Sequence, residues 1–485
     1  FNRPLETVLK DKDANILSKK TLEYDAKGNL TKDTVWSFNP LTNTQNLIPT
    51  IYNYDSFGNL TSTTNPLGST VTTDYETDSY TYPQKVTNSL GQSIEYLYEP
   101  KFGALKSVRD PNGVSSTTSY DSLGRPIRGT REDGGGAQVT AVTYVYPDFN
   151  TKTTTNAIGL FNTEYIDGLG RRYKTISSGE DGANQRSISS EVFYNSRGLT
   201  GSESLPHYAD EDPGQISIIR YEYDLRGRVK KTISDFPGSS FDAESSLNYI
   251  SPLYTEASDP LGRRKGILKD LWGNTIEVTE FTSGGVFKTK YDYDPQNNLL
   301  KTTDNYGNIT QIFYDSLSRK TKMIDPDMGA WSYEYDLIGN LIKQTDAKGQ
   351  VLEFEYDALN RLSAKRSTLS AKPLVEYFYD DAAKANCIGR LSKITDQSGS
   401  TEFFYDKLGR EIKSAKSVER AAYNVEREYD LLDRLTKLTY PDGEIIQYAY
   451  DQNSGLLESV RSTLNTISYV NDISYNPKGQ IKTIS

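Results

Sequence analysis

A short motif recurs along this chain and constrains the fold more than any other feature. Tyr-Asp, two variable residues, Gly or Asn, a polar residue and Leu begin at Tyr335 and again at Tyr356. From Tyr293 onward successive copies are 21, 21, 21, 23, 26, 24, 21 and 25 residues apart. Such self-similarity is typical of stacked repeat architectures, in which each unit buries its apolar face against its neighbours. The Tyr-Asp pairs begin at Tyr24, Tyr54, Tyr120, Tyr223, Tyr291, Tyr293, Tyr314, Tyr335, Tyr356, Tyr379, Tyr405, Tyr429 and Tyr450, and divergent copies begin at Tyr165, Tyr194 and Tyr475.

Each copy predicts two short strands and two turns. Before the Tyr, large apolar and polar residues alternate: Trp331, Tyr333 and Tyr335 are separated by Ser332 and Glu334. This period of two indicates a strand with one covered face. A second strand, NLIKQT, follows the Tyr-Asp turn and ends at another turn, DAKG. The chain is therefore predicted to be an all-β antiparallel sheet, and a sheet of so many strands is expected to curl or close on itself.

The Asp and Gly of the motif are predicted to shape its turn. An Asp carboxylate can accept hydrogen bonds from backbone N–H groups just ahead of it, and Gly permits the positive φ that a type I turn with a bulge requires. The residues that replace Gly test this idea. Asn360, Asn297 and Asp433 belong to the residue types that best tolerate a left-handed backbone. Ser318 is the exception. The constraint is therefore conformational.

Composition excludes several classes of protein. The 485 residues carry a net charge of -10, which argues against a nucleic-acid partner, because phosphate binding needs a basic face. No apolar run approaches the roughly 18 residues of a membrane span. The single cysteine, Cys387, rules out internal disulfide bonds and any cysteine-cluster metal site. The lack of disulfide bonds does not determine whether the protein is located inside or outside the cell.

The repeat is regular in 284–485 and irregular in 1–283, and both parts are predicted to belong to one continuous β-shell. Longer loops or decorations are expected in the first part, and a turn or two of helix is possible at 413–423. The sequence begins and ends within repeat-like segments, so we interpret the chain as a piece of a longer polypeptide. The expected loops are 131–160, 178–190, 203–218 and 234–258.

Candidate chemical groups each have a simpler structural interpretation. The motif Asp is predicted to cap a turn, with a calcium ligand as the alternative. The tyrosines are predicted to pack within the sheet, with sugar stacking as the alternative. Pairs of carboxylates cannot be assigned to glycoside hydrolysis from sequence alone. No catalytic, cofactor-binding or metal-binding residue is predicted.

Four further stretches of the sequence are candidates for a chemical or structural role. His207, in SLPHYADED, is the only histidine, so a Ser-His-Asp triad would need it, but no nucleophile motif accompanies it. Cys387 is expected to be a small buried residue. The run Asp133–Gly136 lacks the strand and helix that flank a phosphate-binding loop. The Asp-Pro-Asp stretch at 325–327 is expected to form a turn between repeats.

The unit Y-D-x-x-G-[RN]-L resembles the YD repeat of the RHS-repeat family. The stretch DPDMGAWSYEYDLIGNLIKQTDAKGQ (325–350) resembles RHS segments of bacterial toxin-complex B and C proteins. The resemblance covers 284–480 firmly and 20–283 more loosely. It implies a sheet that spirals into a hollow shell or barrel, which in toxin-complex and polymorphic-toxin relatives holds a toxic C-terminal segment. In those relatives a self-cleaving core-end segment follows the repeats, and no counterpart is found here. The more distant teneurin-type barrels support adhesion.

The resulting expectation is a non-enzymatic shell segment that encloses a toxin or other C-terminal polypeptide. Its expected partners are the remainder of its own polypeptide or a toxin cargo, and other toxin-complex subunits. The expected location is secreted or at the bacterial cell surface. The alternative is a surface adhesion barrel that recognises glycans or a receptor, and a polysaccharide-cleaving enzyme is the third hypothesis.

Overall fold

The computed structural model describes residues 3–11, 14, 16–132, 138–181, 184–238, 242–464 and 467–485. These residues form 45 β-strands and one short 3-10 helix, Pro213–Gln215, and no α-helix occurs among them. Within the same ranges, no helix has the length and hydropathy needed to cross a membrane. The all-β prediction is therefore confirmed.

The strands are short and follow one another closely. The first twenty-five are β1 (Glu6–Lys10), β2 (Ile16–Tyr24), β3 (Leu30–Asn39), β4 (Thr44–Tyr54), β5 (Leu60–Thr64), β6 (Thr70–Tyr75), β7 (Pro83–Thr87), β8 (Ser93–Glu99), β9 (Ala104–Arg109), β10 (Ser115–Tyr120), β11 (Pro126–Glu132), β12 (Gln138–Asp148), β13 (Thr151–Asn156), β14 (Phe161–Ile166), β15 (Arg172–Ser177), β16 (Glu180–Asp181), β17 (Asn184–Gln185), β18 (Ile188–Tyr194), β19 (Thr200–Ser204), β20 (His207–Tyr208), β21 (Ile218–Tyr223), β22 (Val229–Asp235), β23 (Ala243–Tyr249), β24 (Tyr254–Ser258) and β25 (Arg264–Lys269).

The remaining strands carry the regular repeats. They are β26 (Thr275–Thr282), β27 (Gly285–Tyr293), β28 (Leu299–Thr303), β29 (Ile309–Tyr314), β30 (Lys320–Asp325), β31 (Gly329–Tyr335), β32 (Leu341–Thr345), β33 (Val351–Tyr356), β34 (Leu362–Ser367), β35 (Val375–Tyr379), β36 (Leu391–Asp396), β37 (Gly399–Tyr405), β38 (Glu411–Val418), β39 (Ala421–Tyr429), β40 (Leu435–Thr439), β41 (Ile445–Tyr450), β42 (Leu457–Ser462), β43 (Ser468–Val470), β44 (Ile473–Tyr475) and β45 (Ile481–Ile484).

Neighbouring strands pair antiparallel, and 41 strands of the described residues belong to one sheet. In the pair β31–β32, Tyr333 lies opposite Gln344, and a bulge then places Tyr335 opposite Leu341. β16–β17 and β44–β45 form separate two-stranded hairpins. The prediction of one long antiparallel sheet is therefore confirmed.

The alternation of apolar and polar residues in the sequence corresponds to an alternation of half-buried and exposed side chains in the strands. In β31, Trp331, Tyr333 and Tyr335 are half-buried, whereas Ser332 and Glu334 are exposed. Buried apolar side chains are scarce in the described ranges, and they are Ile48, Tyr208, Ala364, Cys387, Ile446 and Ile473. The sheet is therefore stabilised by its backbone hydrogen bonds and by half-buried side-chain rows, without a thick apolar core.

The described residues divide into two compact units. Unit 1 combines Phe1–Pro111 with Ile267–Thr401, and unit 2 combines Asn112–Gly266 with Glu402–Ser485. Each unit thus joins an early and a late segment of the chain. The division of the chain at 283/284, into irregular and regular repeats, stays a prediction.

Two local expectations need correction. The segments expected to be long loops contribute strands: β12 and β13 lie within 131–160, and β23 and β24 lie within 234–258. The prediction of helical turns at 413–423 was wrong. β38 and β39 form a hairpin there, and its two turn residues, Glu419 and Arg420, have φ of 47° and 78°. Positive φ at both central residues is the conformation of a type I′ turn, which suits the twist of the two strands in a hairpin. Strand pairing therefore overrides the helix propensity of this sequence.

Candidate functional site

The YD turn is the structural centre of the repeat, and we use this name for the turn that follows each motif Tyr or its divergent counterpart. In the copy at Tyr335, Asp336 Oδ1 accepts hydrogen bonds from the N–H groups of Ile338 and Asn340 at 3.0 and 2.8 Å. Asp336 Oδ2 accepts from the Asn340 side chain at 2.9 Å. Both carboxylate oxygens are therefore engaged inside the turn. The predicted capping role of the Asp is confirmed.

The residue that closes the turn adopts a left-handed backbone whether or not it is Gly. Gly339 has φ of 97°, and Asn297, Asn360 and Asp433 have φ of 65°, 63° and 63°. Ser318, the exception in sequence, adopts the same conformation with φ of 62°. The constraint at this position is conformational, as predicted.

This conformation predicts opposite effects for two substitutions. Gly339→Ala should lower the free energy of unfolding by about 1 kcal/mol, because no atom lies within 4 Å of the added Cβ and only backbone strain remains. Ser318→Gly should raise it by roughly 0.5 kcal/mol, since relief of strain is offset by the greater freedom of an unfolded Gly. Urea unfolding of both variants checks this. A stabilising Gly339→Ala change would contradict it.

An Arg after the left-handed residue links one YD turn to the next. Arg361 donates from Nε to Asp357 Oδ2 at 2.7 Å, and its guanidinium lies 4.2 Å from the ring centre of Tyr379 in the next copy. The turn is thus braced by an ion pair and a cation–π contact together. The same stacking joins Arg125 to Tyr146, Arg171 to Tyr194, Arg228 to Tyr249, Arg319 to Tyr335, Arg410 to Tyr429 and Arg434 to Tyr450.

The sequence alone did not predict a role for this Arg. The signal was present, since Arg or Asn recurs at that position, but the sequence does not show that its partner lies in the following copy. Where Asn replaces Arg, as at Asn340, the side chain still reaches its own Asp but makes no ring contact of this kind.

The motif tyrosines connect neighbouring copies through their hydroxyl groups. Tyr335 donates to the carbonyl oxygen of Lys320 at 2.9 Å, and Tyr356 donates to that of Leu341 at 2.9 Å. Burial raises the pKa of both hydroxyls. These contacts confirm that the tyrosines pack within the sheet.

Hydrogen bonds lower the pKa of two of the capping carboxylates. The pKa of Asp121 is lowered chiefly by the backbone N–H of Arg125, and the pKa of Asp167 is lowered chiefly by the side chain of Arg171. Among the described residues, no group of three or more His, Cys, Asp or Glu side chains is placed to hold a metal ion.

Late YD turns in unit 1 also contact the early segment of the same unit. Ser316 donates its N–H to the carbonyl oxygen of Phe38 at 2.9 Å, and its Oγ accepts from the Phe38 N–H at 2.8 Å. Further along, Ser89 Oγ donates to the carbonyl oxygen of Ala358 at 3.1 Å. These partners are 278 and 269 residues apart in sequence. We call this line of contacts the seam of unit 1.

Unit 2 has an equivalent seam. Arg131 Nη1 lies 3.7 Å from Asp433 Oδ2. Leu160 packs closely on Gly455, where an added Cβ would lie 2.7 Å from the Leu side chain. Glu180, only 9% exposed, shares a hydrogen bond with Asp451. In each case the later residue lies in a YD turn, and the earlier one belongs to the early segment of unit 2, Asn112–Gly266.

The histidine lies beside a serine. His207 in β20 pairs with Ser189 in β18, and both are buried. The His207 Nδ1–H donates to the carbonyl oxygen of Leu205 at 3.0 Å. The Ser189 hydroxyl has no hydrogen-bond partner in the described structure, so no hydrogen bond joins it to the imidazole.

The structure also shows where two of the other candidate residues from the sequence lie. Cys387 is fully buried, as predicted, within the long turn after Tyr379. Asp325 forms the predicted turn, since its Oδ1 accepts from the N–H groups of Asp327 and Met328 at 2.9 and 3.0 Å. The run Asp133–Gly136 lies outside the described residues.

Comparison with known proteins identifies the repeat. Residues 270–398 match the Teneurin YD-shell family. The sequence has no significant match among curated proteins.

Several solved structures share the fold. The crystal structure of TcdB2-TccC3 superposes with a TM-score of 0.83 at 14% identity, covering 98% of this chain and 32% of that chain. TcdB2-TccC3-Cdc42 gives a TM-score of 0.83 at 13% identity, over 97% of this chain and 33% of that chain. The Photorhabdus luminescens Tc holotoxin pore, which carries the mutation TccC3-D651A, gives a TM-score of 0.82 at 13% identity, over 98% and 33%.

The chain spans about a third of the length of these structures. At this low identity the likeness shows the fold alone. The chain has the YD-shell fold of these structures over nearly its whole length, and its residues 270–398 match the Teneurin YD-shell family.

Proposed function

We propose that this chain is a non-enzymatic wall segment of an RHS-repeat protein and encloses another polypeptide, such as a toxin. The observation that carries the proposal is the YD-shell fold, which matches TcdB2-TccC3 over 98% of the chain. In this proposal the sheet closes around a lumen and removes exposed strand edges, which otherwise invite aggregation.

The use of the motif side chains supports a structural role. Arg361 pairs with Asp357 and stacks on Tyr379, and the Tyr379 hydroxyl donates to the carbonyl oxygen of Leu362, so these motif groups are used in contacts within the sheet. Such groups hold a wall together. The proposal therefore assigns no catalytic residue to the chain.

The proposed partners follow from the same fold. They are the remainder of the polypeptide or a toxin cargo, together with toxin-complex subunits, and the proposed location is outside the producing cell or at its surface. A polypeptide held within the wall would be kept away from that cell until release.

Protease protection tests the enclosure. In the complete gene product, non-repeat polypeptide should resist protease while exposed turns such as that at Leu369 are cleaved. The variant Asp315→Ala, which weakens a buried YD turn, should shorten that protection, whereas Asp259→Ala in an exposed turn should leave it nearly unchanged. Digestion of the non-repeat polypeptide as fast as an unfolded chain would overturn the proposal.

One observation favours a second function, surface recognition. Trp272 is 82% exposed and Tyr306 is 81% exposed, and exposed aromatic faces suit sugar stacking. If this is the function, Trp272→Ala should abolish binding on a glycan array, whereas Leu271→Ala next to it should not. Absence of glycan binding by the unaltered protein removes this alternative.

A further inference from the structure

Two short hairpins of unit 2 lie outside the large sheet. β16 pairs with β17 and β44 pairs with β45, and in the described part of the chain neither hairpin joins the 41-stranded sheet. β16 packs against β44, where Ile473 is buried. Because side-chain contacts rather than a strand ladder hold β16 in place, this hairpin can part from its neighbours while the large sheet stays intact.

One anchor of the β16–β17 hairpin is a charged contact. Arg186, which follows β17, donates from Nη1 to Asp181 Oδ2 at 2.7 Å and from Nε to Asp210 Oδ1 at 2.8 Å. Its guanidinium lies 3.9 Å from the ring centre of Tyr208. The hydrogen bond from Arg186 lowers the pKa of Asp210, so this anchor should be the same at pH 5 and at pH 8.

A second anchor is a pair of carboxyl groups. Glu180 in β16 is 9% exposed and shares a hydrogen bond with Asp451, the capping residue of a YD turn. Asp451 Oδ1 also accepts from the N–H groups of Asn453 and Ser454 at 2.8 and 2.7 Å, and from Ser454 Oγ at 2.9 Å. Because these donors favour the charged form of Asp451, the one proton that joins the two carboxyl groups belongs to Glu180. We call Glu180, Asp451 and Ser454 the carboxyl latch.

The surroundings of the carboxyl latch disfavour a further negative charge. The groups that face Glu180 are Asp451, Ser454, Glu458 and the hydroxyls of Tyr208 and Tyr475. Because Asp451 and Glu458 are acidic, an ionised Glu180 would meet two acidic groups at a buried contact and would have lost its donor to Asp451. The contact is therefore attractive with the proton and repulsive without it.

We propose that the carboxyl latch is a proton-operated switch that closes the seam of unit 2 at β16. While Glu180 holds its proton, β16 stays on the YD turn of Asp451 and on β44. When the proton is lost, the β16–β17 hairpin parts locally from both and uncovers Ile473, while the 41-stranded sheet remains folded. The switch regulates access to one place in the wall, and it does not depend on what the wall encloses.

Thiol labelling in the complete gene product measures the opening. Ile473→Cys places a thiol under β16, and its rate of reaction with 4,4′-dithiodipyridine is divided by that of a small thiol in the same buffer. Burial and the hydrogen bond to Asp451 raise the pKa of Glu180 from 4.5 to about 7, so the closed form loses stability about tenfold per pH unit within that window. The normalised rate should therefore rise roughly a hundredfold from pH 5 to pH 8. Thr163→Cys, buried in β14 of the large sheet, is the matched control and should label at a constant normalised rate.

Two amide variants test the proton itself. Glu180→Gln and Asp451→Asn each turn the pair into an amide and a carboxylate, which share a hydrogen bond without an added proton. In either variant, Ile473→Cys should label slowly at both pH values. A pH dependence that survives either substitution would assign it to another group, such as His207, and would overturn the proposal.

Two further results count against the switch. One is equal acceleration at Ile473→Cys and Thr163→Cys, which would show general loosening of unit 2, and the other is slow labelling of Ile473→Cys at both pH values with the latch unaltered. Hydroxyl-radical footprinting of the protein without cysteine substitutions gives a second reading. There, Ile473 should be oxidised several-fold faster at pH 8 than at pH 5, and equal oxidation would contradict the opening.

Discussion

Asp315→Ala is expected to lower the free energy of unfolding by about 3–5 kcal/mol, the loss typical of breaking a buried ion pair. Asp315 is 5% exposed, and its carboxylate accepts from the backbone N–H groups of Leu317 and Arg319 at 2.9 and 3.0 Å. It also accepts from Arg319 Nε at 2.7 Å. The substitution removes these bonds at once and leaves a guanidinium, whose side chain is 17% exposed, without its carboxylate.

The position of Arg319 adds to this effect. Its Nη1 donates to the carbonyl oxygen of Asp336 at 2.9 Å, and its Nη2 donates to Ser37 Oγ at 3.2 Å across the seam of unit 1. Loss of the anchoring carboxylate should therefore weaken the next YD turn and the seam together. Urea unfolding followed by tryptophan fluorescence measures the loss, since Trp36 lies at this seam.

Asp259→Ala is the matched control. Asp259 makes the same bonds to Leu261 and Arg263, but the Arg263 side chain is 75% exposed. Because water can solvate the released Arg, the expected loss is much smaller than that at Asp315. Equal losses at the two sites would contradict the view that buried YD turns carry the stability of the seam.

The stability of unit 2 is expected to fall as pH rises from about 4.5 to about 7. Burial, together with the hydrogen bond to Asp451, raises the pKa of Glu180 from 4.5 to about 7. In that window the unfolded chain releases the Glu180 proton while the folded chain retains it. Stability is therefore complete below the unfolded pKa and is lost as pH passes through the folded pKa, by about 3 kcal/mol in all.

Several groups surround this carboxyl. Asp451 and Glu458 contribute negative charge, Ser454 donates a hydrogen bond, and the hydroxyls of Tyr208 and Tyr475 lie nearby. Above pH 7 an ionised Glu180 would face Asp451 across the seam of unit 2. The expected consequence is repulsion at that contact.

Glu180→Gln tests the source of the pH dependence. The amide keeps the shape and a donor for Asp451 but cannot ionise, so urea midpoints at pH 5 and pH 8 should converge. Glu211→Gln is the control, because Glu211 bonds to the backbone N–H of Tyr208 in the same region and should leave the dependence in place. A pH profile unchanged by Glu180→Gln would contradict the assignment.

The period of the repeat made the strands and the YD turns predictable. Alternation before Tyr335 and the exchange of Gly for Asn360 are local signals, and local backbone geometry follows from them. Ser318 shows the reach of this rule, because its backbone is left-handed despite its side chain.

Contacts between distant parts of the chain were not predictable. Ser316 and Phe38 meet across 278 residues, and no property of either residue in sequence indicates the other. The stacking of Arg361 on Tyr379 depends on the spacing of neighbouring strand pairs in the folded sheet. At 413–423 the composition favours a helix, but the structure has a hairpin, because the pairing of β38 with β39 outweighs the local helix propensity.

Single-particle imaging of the complete gene product tests the central claim most directly. If the chain is a wall segment that encloses polypeptide, the particle should have a walled cavity. Its wall should be built from YD-repeat strands, and its interior should contain polypeptide density that these strands do not explain. A compact solid particle without a cavity, or a wall around a lumen empty of polypeptide, would contradict it.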